Sequence, residues 1–215
     1  MALDNGFESQ TLRPDTMKLL AAVLSCCSLS VLVVATEDTH RPCDLPKLLE
    51  GQEYLVNPMK GQTESMSFSY DAIQKRVYVA RVAFTGSAMA DPVLDYLLYN
   101  EAVIYQFYPK NGSCVKYPLH DPFRSFAIPK NATFVGQIYF GDSLDPGDRL
   151  LVDVWMGAFG SGYYSMTYTT HGCFPVSSIY ASKEIGFKLE SFTNLTKGIR
   201  DPDIFKPPPV CFQQN

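Results

Sequence analysis

The sequence has no Cys-x-x-Cys pair, no Gly-x-Ser-x-Gly elbow, no His-Glu-x-x-His and no glycine-rich phosphate loop. Each absence removes a class of function. Widely spaced cysteines argue against a zinc site or a thioredoxin-like redox pair. Without an elbow or a metalloprotease helix, no hydrolase nucleophile or metal base is nominated. Histidine is scarce, and its three positions are poor for catalysis. His40 follows a polar N-terminal segment, His120 sits between Pro118 and Pro122, and His171 adjoins Gly172 and Cys173. Nothing singles out a carboxylate pair for glycoside hydrolysis. No catalytic residue is assigned, and the chain is read as a non-enzyme. Basic runs are also missing: 18 Lys+Arg against 22 Asp+Glu are scattered, for a net charge of −4. That excludes nucleic acid as an expected partner. No 20–50-residue period repeats, so a solenoid or propeller is excluded too.

Long apolar runs are absent with one exception. Leu19 to Ala35 carries no charge, follows Lys18, and ends in Val33-Val34-Ala35 before Thr36-Glu37-Asp38. A basic flank, an apolar stretch and small residues at its end read as a secretory signal peptide. The run is at the short end of what spans a bilayer. Residues 1–16 are an unexplained polar extension, 17–35 the signal, and 36–215 a single domain long enough to bury a full core.

Cleavage would remove Cys26 and Cys27 and leave Cys43, Cys114, Cys173 and Cys211. An even number in a secreted chain implies two disulfides, with three connectivities open. Three sequons, at Asn111, Asn131 and Asn194, fall beside turn-forming or polar residues and are candidate N-glycosylation sites. Near the end, Lys197 to Cys211 contains Pro202, Pro207, Pro208 and Pro209, yet also Ile199, Ile204, Phe205 and Val210. Proline removes backbone donors, so this tail is neither helix nor central strand. An apolar irregular segment needs a tether, and Cys211 supplies one.

The body of the chain alternates apolar and polar residues between turn signals, as in Met66-Ser-Phe68-Ser-Tyr70 and Arg76 to Val82. Further strands are expected at 103–108, 114–117, 134–140, 150–159, 162–170, 173–180 and 186–192. Asp91-Pro92 is a helix start by its chemistry, although 95–99 also suits a strand. The ends around 44–50 and 198–206 have room for short helices. Short strands joined by tight turns predict an antiparallel, β-rich fold. Period-two alternation groups Phe68 with Tyr70, Val77 with Val79, Tyr105 with Phe107, Val152 with Val154, and Tyr164 with Met166 and Tyr168. These residues are the expected lining of an apolar pocket, the alternative being a solid core. Asp142, Asp145 and Asp148 share one loop and are the candidate ligands for Ca²⁺, against a purely turn-forming role.

Several short motifs occur in a fixed order. They are Arg41-Pro-Cys43-x-x-Pro46, Ser69-Tyr-Asp71 with Arg76-Val77, Asp95-Tyr-Leu-Leu-Tyr99, and Ile128-Pro-x-Asn131-x-Thr133-Phe134. Cys173-Phe-Pro175 follows, then Gly198-Ile-x-Asp201-Pro-x-x-Phe205-x-Pro-Pro208-x-x-Cys211. Together they resemble the ependymin family from Arg41 to Cys211. The resemblance implies a secreted or lysosomal glycoprotein that binds lipid or another hydrophobic molecule. It implies a homodimer with links to extracellular matrix and cell–matrix adhesion. No cofactor is required, and calcium is held, if at all, through glycans. The implied fold is a strongly curved antiparallel sheet with a short helix pair, like bacterial carriers of the LolA and LppX type, enclosing an apolar pocket. The implied bridges are Cys43–Cys173 and Cys114–Cys211. A third pair of mammalian relatives is missing here, with Met89 near one of its positions.

Overall fold

A computed structural model describes residues 40–213. The signal segment and the polar extension lie outside the described residues. Alternating sequence becomes strand throughout. The strands are β1 Leu48–Asn57, β2 Gln62–Asp71, β3 Arg76–Thr85, β4 Ala88–Met89, β5 Val93–Leu98 and β6 Val103–Tyr108. They continue as β7 Ser113–Pro118, β8 Thr133–Gly141, β9 Arg149–Phe159, β10 Gly162–Thr169, β11 Pro175–Ser182 and β12 Gly186–Lys197. They form one sheet in the order β7-β6-β5-β3-β2-β1-β12-β11-β10-β9-β8, with β4 paired to β3. Every pairing is antiparallel.

The turns use the chemistry their residues offer. Asp71 ends β2, and its Oδ1 accepts from the backbone N–H of Ile73 and of Gln74, both at 2.9 Å. Its Oδ2 accepts from Arg76 Nε at 2.9 Å. One carboxylate thus closes the β2–β3 hairpin and pins its first returning residue.

The sheet is open, because β7 and β8 are its two edges. The chain passes from one edge to the other through residues 119–132, which we call the strap. Eleven strands side by side span about 48 Å at ~4.8 Å per step. Fifteen residue steps reach about 50–54 Å when fully extended. The strap is not fully extended, since Ala132 N–H donates to Pro129 O at 2.9 Å. The sheet must therefore curl toward the strap, which fixes an inner face and an outer face.

The inner face carries the larger share of the core. Leu49, Phe68, Tyr70 and Phe192 pack with strap residues Phe123 and Phe126. Trp155, Tyr164, Met166 and Tyr168 pack with Ile128 and with the Cys43–Cys173 disulfide. The strap is also held by hydroxyls. Tyr168 Oη donates to Phe126 O at 2.6 Å, and Tyr70 Oη donates to Ser125 Oγ at 3.2 Å.

On the outer face the proline-rich tail runs from β12 at the sheet's centre to edge strand β7. Arg200 Nε pairs with Glu50 Oε2 at 3.0 Å, and Phe205 is buried beneath the Arg76 guanidinium. Cys211 then bonds Cys114 on β7, and Phe212 meets the Tyr105 ring. Both implied disulfides are present, with Cα–Cα separations of 5.8 and 5.0 Å.

Three expectations fail. Residues 93–98 are strand, because β5 is paired on both sides by β3 and β6, and that outweighs the Asp-Pro helix start. Residues 48–50 belong to β1, and the tail holds only the 3₁₀ turns Pro202–Phe205 and Pro209–Phe212. The helix pair is thus not found, and no α-helix occurs among the described residues. The strap and the tail occupy the two faces instead.

The tail has two independent fastenings. Cys211→Ser opens a loop of 97 residues and should cost about 4 kcal/mol in urea unfolding. Amide exchange should accelerate at 209–212 while Pro202–Phe205 keeps its protection, because Asp201 caps that turn and Phe205 is buried. Uniform loss along the whole tail would show that the disulfide alone holds it.

Candidate functional site

Strand register decides which side chains meet. Phe192, Glu190 and Lys188 alternate onto the inner face of β12. Ser178 lies opposite Glu190, and Tyr180 opposite Lys188, on β11. Met166 and Tyr164 on β10 continue the same two rows. Together with Tyr168, Phe159 and strap residues Arg124 to Ala127 and Pro129, they enclose a cavity of about 420 Å³. Its floor is sheet and its roof is strap. That distinguishes it from a groove of about 720 Å³ around Cys43 and Phe174, which lies along loops at the strand ends.

Six aromatic residues line it, and charge enters from Arg124 on the strap and from Lys188 and Glu190 at one corner of the floor. Lys188 Nζ pairs with Glu190 Oε1 at 2.6 Å and stands 4.8 Å from the centre of the Tyr180 ring. Burial, reinforced by Glu190, pushes the Tyr180 hydroxyl up to about 12. Glu53, on the neighbouring β1, lies opposite Phe192 and diagonal to Glu190. Burial first, then the Glu190 charge, raises its carboxyl to about 8, while Lys188 pulls the other way. Glu53 is therefore protonated at neutral pH, and the corner carries one balanced ion pair rather than a net negative charge.

Tyr164 stands apart. Its side chain is buried, yet its hydroxyl has no hydrogen-bond partner among the described residues. The ring lies so close over β9 that a Cβ on Gly157 would fall 2.2 Å from the hydroxyl oxygen. Glycine at 157 is what allows this placement. A buried unpaired hydroxyl costs free energy unless something meets it.

Of the residues expected to line a pocket, Tyr164, Met166 and Tyr168 do so. Phe68, Tyr70, Val77 and Val79 share the inner face but are filled over by Phe123 and Phe126. Tyr105 and Phe107 are on the outer face, packed under the tail with Cys211 and Val210. Val152 and Val154 also point outward, being paired with Thr169 and Thr167, one residue out of phase with Met166. Alternation grouped each pair correctly but could not say which face was the inner one. The strap residues, Ser178, Tyr180, Lys188 and Glu190 went unforeseen, since a loop's place over a sheet leaves no periodic trace. A Phe-x-x-Phe in the strap, at 123 and 126, was the available hint.

The 142–148 loop does not gather its carboxylates. Asp142 Oδ1 accepts from Leu144 N–H and Asp145 Oδ1 from Gly147 N–H, both at 2.8 Å. Each makes a local turn, and among the described residues no cluster of three or more His, Cys, Asp or Glu is arranged to hold a metal ion. Asn111, Asn131 and Asn194 are all exposed.

Comparison with known proteins follows the same outline. The family model described as Ependymin matches residues 90–211. Ependymin-2 of Carassius auratus is 32% identical, covering 91% of this chain and 90% of its own. Ependymin of Notemigonus crysoleucas is 31% identical with the same coverage. Mammalian ependymin-related protein 1 of Rattus norvegicus is 29% identical over 80% of this chain and 77% of its own. A solved structure of an uncharacterised conserved protein from Thermus thermophilus superposes with a TM-score of 0.51 at 6% identity. The match covers 77% of this chain and 87% of that one, and bears on the fold alone.

The raised Glu53 carboxyl makes a pH-dependent prediction. Folded, it holds its proton up to about 8, whereas unfolded it releases it near 4.5. Its relative stabilisation is complete below the unfolded value and is lost as pH rises through about 8. Glu53→Gln should raise stability at pH 8 by about 4 kcal/mol, roughly 8–16 °C in Tm, and leave it unchanged at pH 4. An equal gain at both pH values in thermal scans would show that titration of Glu53 is not the cause.

Proposed function

We propose that this chain, which belongs to the ependymin family, is a secreted glycoprotein that carries a hydrophobic molecule in the cavity between strap and sheet. The observation that carries this reading is the cavity itself. At about 420 Å³ it is within the range of small-molecule sites, and it is walled by Phe126, Phe159, Met166, Phe192 and three tyrosines. Two disulfides and three sequons accord with an oxidising, extracellular setting. No helix among the described residues is long and apolar enough to cross a membrane.

A second reading concerns the outer face beyond the tail's reach. Tyr54, Met156, Tyr163 and Phe187 project there from β1, β9, β10 and β12 and are exposed. Such a surface suits a homodimer contact or adhesion to matrix components. It leaves the inner cavity free, so the two readings are compatible in one molecule.

Filling the cavity tests the carrier reading. Ser178 is buried on the central floor strand and has the smallest side chain there. Ser178→Phe should abolish saturable binding of the neutral fluorescent probe N-phenyl-1-naphthylamine. Ala127→Trp, placed from the strap, should weaken it by about tenfold, the scale of 1.4 kcal/mol. Tyr105→Ala on the outer face should leave it unchanged. Undiminished binding in both filled variants, with folded spectra intact, would remove the cavity from the function.

A further inference from the structure

The two edges of the sheet are unlike each other. Edge β7, Ser113–Pro118, spans six residues. It carries Lys116, ends in Pro118, and is bonded to the tail through Cys114 and Cys211. Short length, a lysine, a proline and a covering segment are the means by which edges avoid pairing with other chains. Edge β8, Thr133–Gly141, spans nine residues, or about 30 Å. Its run Phe134-Val-Gly-Gln-Ile-Tyr-Phe140 has no charge and no proline. Val135, Ile138, Tyr139 and Phe140 are all exposed. An uncharged, apolar, seven-residue strand with no strand on its far side among the described residues is the pattern that adds strands from other molecules. A single bulge between Phe134 and Gly136 is the only irregularity in its ladder with β9.

A sequon stands at the head of each edge. Asn111 lies two residues before the start of β7, and Asn131 two residues before the start of β8. Both are exposed. The Asn111 side chain uses its Oδ1 to accept from Ser113 N–H at 3.0 Å and from Ser113 Oγ at 2.8 Å. The Pro129–Ala132 turn presents Asn131 at the corner where the strap meets β8. Of these two sequons, the one beside β8 adjoins the edge that has no lysine, proline or disulfide of its own.

We propose that a glycan on Asn131 is the guard of edge β8, replacing with sugar the protection that β7 draws from Lys116, Pro118 and the Cys114–Cys211 bond. The inference rests on the glycoprotein reading but not on the cavity. A branched, hydrated sugar at the strand's head excludes an incoming strand from the row of unpaired N–H and C=O groups. It does so without placing a charge on the apolar strand.

The full chain, secreted from eukaryotic cells, allows the test. Intact mass first reports occupancy at each sequon, and an unmodified Asn131 in the parent overturns the proposal. Asn131→Gln should then show a severalfold faster rise in light scattering and thioflavin fluorescence at 37 °C. Asn111→Gln should behave as the parent does. Ile138→Lys, added to Asn131→Gln, should return scattering to the parent level by putting a charge on the unguarded strand. If Asn131→Gln is not secreted, an endoglycosidase that leaves one sugar on each asparagine is applied to the folded parent and to Asn131-retaining Asn111→Gln. Accelerated scattering after trimming in both supports the guard. Scattering that matches the untrimmed protein, or equal acceleration by the two single variants, overturns it. Probe binding in the cavity is measured in parallel, so loss of the guard and loss of the carrier function read out separately.

Discussion

The structure depends on the strap being seated. An antiparallel sheet of this width has two free edges and would otherwise twist open. The strap ties those edges together across the inner face, and it holds because aromatic rings and hydroxyls act on the same few residues. Phe126 packs against Phe68, Tyr70 and Phe192 while its carbonyl accepts from the Tyr168 hydroxyl. Ser125 accepts from Tyr70. Tyrosine suits this duty, since one side chain supplies both apolar area and a directed donor. A large part of the tyrosine and phenylalanine in the inner core serves this one loop and its floor.

The cavity is a consequence of how the strap fits rather than a separate feature. Over β2 and β3 the strap contributes Phe123 and Phe126, and the space is filled. Over β10 to β12 the strap contributes Arg124, Ser125, Ala127 and Pro129 beside Phe126, and the space between them and the floor is left open. The floor there is also where the sheet places its inward charges, Lys188 and Glu190, with Glu53 alongside. Dense packing over that corner would strand an ion pair, and a buried ion pair returns little stability. Space and polarity therefore coincide for a physical reason.

Much of the strand layout was legible, and its limits follow from what each signal encodes. Alternation at Met66 to Tyr70 and at Gly162 to Thr170 marked strands because one face is buried and the other is not. The same signal fails for Tyr105, Phe107, Val152 and Val154. Both faces of this sheet are covered in places, so an apolar stripe no longer identifies the inner one. The Asp91-Pro92 helix start failed because sheet pairing on both sides of β5 outweighs a local cap. The tail was read correctly as a tethered, irregular segment because proline chemistry is local. The strap's role was not readable, since it depends on strand order, which places β7 and β8 at opposite edges.

Tail and strap act as two girders on opposite faces, and they differ in kind. The tail is fastened covalently at Cys211, and Phe205 beneath Arg76 anchors its middle. The strap has no covalent bond of its own, and its ends are held by the edge strands that it joins. The cavity therefore has a floor of paired strands and a roof secured by two tyrosine hydroxyls and ring packing. Each such hydrogen bond contributes about 1 kcal/mol, and the burial of Ile128 and the packing of Phe123 and Phe126 add the larger part of the strap's hold. The Cys43–Cys173 disulfide packs with Ile128 at the end of the strap, whereas Cys114–Cys211 lies on the outer face.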